Sequence, residues 1–113
     1  HFFDEFARRH GDYAIVGLAA QAIVRDEVLA DFRPVLFAVG DRPVLAKAAS
    51  RLLNRPVTPA LLSEAAAALA AELDPEADEQ ASVSMRRHLA KLLLVRCVAS
   101  VLGRPDLAAG GPG

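Results

Sequence analysis

Hydrophobic and polar positions divide the chain into a first half built around one long uncharged run and an amphipathic second half. From Tyr13 to Val24 no charged residue occurs, and Tyr13, Ile15, Val16, Leu18, Ile23 and Val24 have β-forming side chains. An uncharged run of this kind predicts a strand partly covered on both faces. Arg25-Asp26-Glu27 predicts a hairpin turn without a glycine, and Val28 to Val39 predicts the returning strand, with Pro34 limiting its ladder at one point. Gly40 and Pro43 punctuate its end, and Val44-Leu45 predicts a short third strand. Ahead of these, Phe2, Phe3 and Phe6 fall at helical spacing with Asp4 and Glu5 in a first turn, so Phe2 to His10 predicts a short helix closed by Gly11.

The second half reads as helical. Ala46 to Leu53 predicts a short helix ended by Asn54-Arg55-Pro56. Thr58-Pro59 is a start signal, with threonine able to cap and proline suited to the first helical position. Leu61, Leu62, Ala65, Leu69 and Leu73 then mark one face of a helix that stops at Asp74-Pro75. Glu72 to Glu79 holds five carboxylates in eight residues and predicts a solvated loop. Ser82 or Ser84 opens the longest helix, which runs to about Leu102 and ends at Gly103-Arg104-Pro105. Leu92 to Leu102 is apolar nearly all round, predicting burial within a bundle with one side available for association. The elements sort into strands and then helices, the order of an α+β domain with helices on one face of a small antiparallel sheet. One domain over residues 1–102 is expected, with 103–113 as a disordered tail of small residues, glycine and proline.

Composition narrows the function classes. A formal net charge of −1 offers no electrostatic footprint for nucleic acid or an anionic membrane. The hydrophobic share of 53% fits either an alanine-rich helical domain or one with a face covered by something else. No segment reads as a signal peptide or membrane span. The single cysteine, Cys97, can form no internal disulfide, which points to a reducing, cytoplasmic setting, and its apolar surroundings suit packing better than catalysis. His1, His10 and His88 have no partner at ligand spacing, so a metal site is not expected. No acid, base and nucleophile constellation appears, so no activity is expected of the chain alone. The chain starts without methionine and is expected to be a fragment of a longer polypeptide.

Three local patterns remain. Arg8-Arg9-His10-Gly11-Asp12-Tyr13 has basic residues before a glycine; these suit a helix end, and Asp12 could pair with either arginine. Gly40-Asp41-Arg42-Pro43 has one glycine and no lysine, so it reads as a turn and not as a phosphate loop. Ser84-Met85-Arg86-Arg87-His88 with Lys91 forms a basic patch near the start of the last helix, facing the acidic loop that includes Asp78 and Glu79.

The order and spacing of these patterns resemble the C-terminal domain of the FAD-binding (medium) subunit of molybdenum hydroxylases, the carbon monoxide dehydrogenase and xanthine dehydrogenase type. The resemblance runs from residue 2 to about 102. It implies a sheet of about three antiparallel strands followed by a bundle of about three helices on one face. It also implies a module that helps hold FAD and docks against the preceding FAD-binding domain and the molybdopterin and iron–sulfur subunits. Asp12 and Tyr13, with Arg9 next, are the positions it nominates near the flavin. Tyr13 would supply an aromatic wall and a hydroxyl, and Asp12 would orient neighbouring donors. Met85 stands where a tyrosine commonly precedes the arginine in this family. The glycine-rich pyrophosphate-binding segments of the preceding domains are absent from this sequence, so FAD is expected in the complete subunit and not on this chain alone. The other expectation is a free-standing interaction module, dimerising or binding a partner through the last helix or an open sheet edge.

Overall fold

A computed structural model describes residues 1–7, 14–37, 43–73 and 82–109. Four strands form one antiparallel sheet in the order β1-β2-β3-β4: β1 Phe2–Ala7, β2 Ala14–Arg25, β3 Val28–Phe37 and β4 Val44–Leu45. A 3-10 helix, Lys47–Leu52, then leads to α1 Pro59–Glu72, α2 Val83–Leu102 and the one-turn α3 Asp106–Ala109. The domain is α+β, as its element pattern implies, with four strands where about three were expected.

The sheet is built around β2, twelve residues long. At about 3.3 Å per residue such a strand spans about 40 Å, close to the 43 Å long axis of the molecule. The β2–β3 turn at Asp26-Glu27 marks the lower end of the sheet, and the ends of β1 and β3 mark the upper end. In the upper half β1 pairs with β2 from Phe2↔Ala20 to Ala7↔Ala14, and β4 pairs with β3 at Val35↔Leu45 and Leu36↔Val44. The lower half is the β2–β3 ribbon alone. Its register steps between Ile23 and Val24, which face Asp31 and Leu29, so Ala30 is the extra residue of a bulge. Pro34 sits within β3, opposite Ala20. Its carbonyl accepts from Ala46 N–H at 3.0 Å, on the β4 side. A residue's N–H and C=O point the same way in a strand, so the missing proline donor falls beside the short β4 ladder and leaves the β2 ladder whole.

The first element is a correction. Phe2 to His10 was expected to be helical, yet Phe2–Ala7 is an edge strand; His10 and Gly11 lie outside the described residues. Phe2 and Phe6 are four apart, a spacing that serves a helical face and also one face of a strand. The side chains settle which: Phe2, Asp4 and Phe6 are half-buried, while Phe3 and Glu5 are exposed. A six-residue helix is marginal by itself, whereas the same six residues complete a ladder along β2.

The core lies between the sheet and the helices. Val16, Leu18 and Ala20 of β2 and Leu29, Phe32 and Leu36 of β3 are buried on the inner face. They meet α2, which contributes Ala90, Leu93, Leu94, Cys97 and Val98. α1 packs on α2 and on the 3-10 helix, with Leu62, Ala65, Leu69 and Leu73 buried. Three sequence signals set these helices. Thr58 Oγ1 accepts from Leu61 N–H at 3.1 Å, Ser82 Oγ accepts from Met85 N–H at 3.0 Å, and Gly103 takes the left-handed conformation that ends α2. The segment expected as helix from Ala46 to Leu53 is the 3-10 turn, followed by Asn54 at φ 57°.

The expected tail at 103–113 is corrected over its first part. Arg104 donates to Val57 O at 2.7 Å and pairs with Asp106 at 2.7 Å, and Leu107 of α3 is buried. Residues 110–113 lie outside the described residues, as does most of the acidic stretch Glu72 to Glu79.

Candidate functional site

The nominated residues Arg9, Asp12 and Tyr13, and Gly40-Asp41-Arg42 of the second pattern, lie outside the described residues. The strand ends that bound them are described. β1 finishes at Ala7 opposite Ala14, and Gly17 of β2 lies between Glu5 of β1 and Phe37, the last residue of β3. Chain connectivity therefore attaches segments 8–13 and 38–42 to the same, upper end of the sheet.

The helices bring the third pattern toward that end. Asn54 N–H bonds to Leu29 O at 2.8 Å near the lower end, and Val57, three residues on, receives Arg104 from beyond the C-terminus of α2. Arg96 of α2 meets Asp4 and Phe6 of β1 in the upper half. α2 therefore descends along the sheet, and Arg86 lies about 15 Å above Arg96 at 1.5 Å per residue. The local roles there are structural. Arg87 Nη2 donates to Leu73 O at 3.0 Å, at the C-cap of α1 where carbonyls lack helical partners. Arg86 is buried, and Met85 and His88 are exposed. Arg87 thus ties the end of α1 to the start of α2.

Sequence reasoning passed over Arg96, which lies within the apolar stretch 92–102. Its Nη1 lies 3.1 Å from Asp4 Oδ2, and its guanidinium sits 4.5 Å from the centre of the Phe6 ring. One side chain of α2 holds two inward-facing residues of an edge strand. The signal was the single cation within the apolar stretch 92–102, matched by an acidic residue at an inward position of the first strand, and it becomes readable only once Phe2–Ala7 is known to be extended.

Sequence reasoning also left the outer face of the sheet unread. The ring of Phe37 covers Gly17: a Cβ there would come within 2.1 Å of it. Phe3 stacks on Phe37 with ring centres 5.7 Å apart at 16°. Between β1 and the β3–β4 pair runs a shallow concavity of about 750 Å³ with Ala19 in its floor.

No described feature forms a pyrophosphate cradle. The two long helices begin at Thr58 and Ser82, whose own hydroxyls take up the first free N–H groups, and neither start is glycine-rich. Among the described residues no group of three or more His, Cys, Asp or Glu side chains could hold a metal ion. Cys97 is fully buried, and burial pushes its thiol from 9.0 up to about 12, away from nucleophilic use. No helix among the described residues is long and apolar enough to cross a membrane.

Comparison with known proteins places this arrangement. The structure superposes on quinoline 2-oxidoreductase from Pseudomonas putida 86 with a TM-score of 0.82 and 31% identity, over 91% of this chain and 37% of that one. It superposes on carbon monoxide dehydrogenase from Hydrogenophaga pseudoflava with a TM-score of 0.85 and 22% identity, over 91% of this chain and 36% of that one. For reconstituted CO dehydrogenase from Oligotropha carboxidovorans the TM-score is 0.83 at 23% identity, over 90% and 36% of the two chains. The chain thus spans little more than a third of the solved chains it matches. No curated protein sequence matches it. Residues 1–101 match the CO dehydrogenase flavoprotein C-terminal domain, and the chain belongs to that family.

Proposed function

We propose that this chain is the C-terminal domain of the FAD-binding subunit of a molybdopterin-dependent dehydrogenase of the CO dehydrogenase and xanthine dehydrogenase type. There it supports flavin binding and subunit assembly and performs no catalysis by itself. The family match across residues 1–101 carries this reading. The common end of the sheet to which Arg9, Asp12 and Tyr13 are attached supports it, because one end of a domain can then face a flavin held mainly by another domain. When bound, FAD would relay electrons from the iron–sulfur clusters to an acceptor. The contribution of this chain is a scaffold: β1 and β2 fix where the segment carrying Asp12 and Tyr13 begins and ends, and Arg96 keeps β1 in place.

The test is flavin content in the complete polypeptide that carries this sequence. Asp12→Ala, Tyr13→Ala and Arg9→Ala are each expected to weaken FAD retention about tenfold, the worth of one lost hydrogen bond or ring contact of about 1.4 kcal/mol. The chain alone is expected to leave FAD fluorescence unchanged. Tight binding by the chain alone, or full flavin in all three variants, would overturn the proposal. The exposed outer sheet face favours a second reading, a free-standing interaction or dimerisation module. Intact mass from the native source separates the two: a product near 12.0 kDa supports the second.

A further inference from the structure

The outer face of the sheet carries a concentrated apolar surface. Phe3 is 63% exposed, Leu45 56% and Ile23 47%, and the strand alternation puts all three on the side away from the helices. They are three of the five large hydrophobic residues exposed among the described residues, so the exposure is concentrated and not scattered. The relief of the face is specific. β2 presents the small Ala19, and the larger Phe3, Val35 and Leu45 stand on β1, β3 and β4. This leaves a trough of about 750 Å³ with Gln21 and Arg33 toward its lower end. A sheet with helices on one face and an apolar trough on the other has a surface suited to a third layer.

The chain's own geometry argues for what fills the trough. His1 lines the same concavity, so the start of β1 lies on its rim. The matched family unit is by name a C-terminal domain, and it accounts for 36–37% of the solved chains. A polypeptide arriving at Phe2 from a preceding domain therefore joins the sheet beside this face. We infer that the outer sheet face docks the preceding domain of the same polypeptide, through an apolar surface with a projecting side chain or helix ridge that enters the trough over Ala19. The inference rests on the proposed function, since it requires a preceding domain.

The test is thiol labelling of the complete polypeptide. Cys97 is buried, so each added cysteine is read as the labelling it contributes over the parent polypeptide. Phe3→Cys and Leu45→Cys probe the face, and Ser63→Cys on the exposed side of α1 is the reference. A maleimide is expected to label positions 3 and 45 about tenfold or more slowly than position 63, because thiol reactivity follows access. Equal rates at all three positions, in a polypeptide that has a preceding domain and retains FAD, overturn the docking and leave the proposed function standing. Protection that disappears on dilution identifies a second copy as the occupant and likewise overturns it. A native product of 12.0 kDa overturns both.

Discussion

Arg96 and Gly17 each hold together parts of the molecule far apart in sequence. The Arg96–Asp4 pair is exposed enough, at 49% and 35%, to contribute little by itself. The guanidinium over Phe6 adds a contact of about 0.5–1 kcal/mol. Arg96→Ala is therefore expected to lower stability by only about 1 kcal/mol, but to do so at β1, seen as selective loss of amide protection over residues 2–7. Gly17→Ala should change sign with its neighbour. In the native protein it displaces the Phe37 ring and breaks the stack with Phe3, outweighing the entropy gain, so it destabilises by about 1 kcal/mol. In a Phe37→Ala background the obstruction is gone, and the same change should stabilise by about 0.5 kcal/mol. Urea midpoints of the four proteins check this. Cys97 titrates in one direction only. Burial favours the neutral thiol, so the folded chain keeps a proton that the unfolded chain releases near 9.0. The associated stability is complete below that pH and is lost as pH rises toward about 12. Cys97→Ala is expected to remove that alkaline decline, read from denaturation curves across the range.

Among the elements, the β2–β3 hairpin is the best formed and the least relaxed. Asp26 and Glu27 have φ of 52° and 67°, the two positive values a type I′ turn requires, without the glycine that takes them at least cost. Glu27→Gly should raise stability by about 1 kcal/mol, visible as a higher urea midpoint. A fall would mean that Glu27 makes a compensating contact. Thr58→Ala removes the cap of α1 and should cost about 1 kcal/mol in the same assay. These elements were legible in the sequence because their signals are local: an uncharged β-branched run, a threonine before proline, a serine at a helix start, a glycine after its end. β1 was not legible, since FFDEFA satisfies either period and only pairing with β2 decides it. α3 was missed for a related reason. A four-residue turn has no period to detect, and it is held by Arg104 reaching back 47 residues to Val57 O. The Arg104 side chain also holds the Asp106 carboxyl below its usual range. This anchoring is complete above the ordinary carboxylate pKa and is lost as pH falls through the lowered value.

At the scale of the whole molecule, α2 covers one face of a four-stranded sheet, α1 packs on α2 and the 3-10 helix, and the other face is left open among the described residues. The sequence by itself determined the α+β class, the long hairpin, the helix limits and, through three spaced motifs, the family. Each is written in neighbouring residues or in their order along the chain. Tertiary structure alone decided that the first segment is a strand, that Arg96 serves β1, and that Phe3 and Leu45 share an outer face with a trough over Ala19. Those facts depend on which residues face each other across strands and layers. A period of two or of 3.6 says that a residue has a side, and only the packed sheet says what stands on that side.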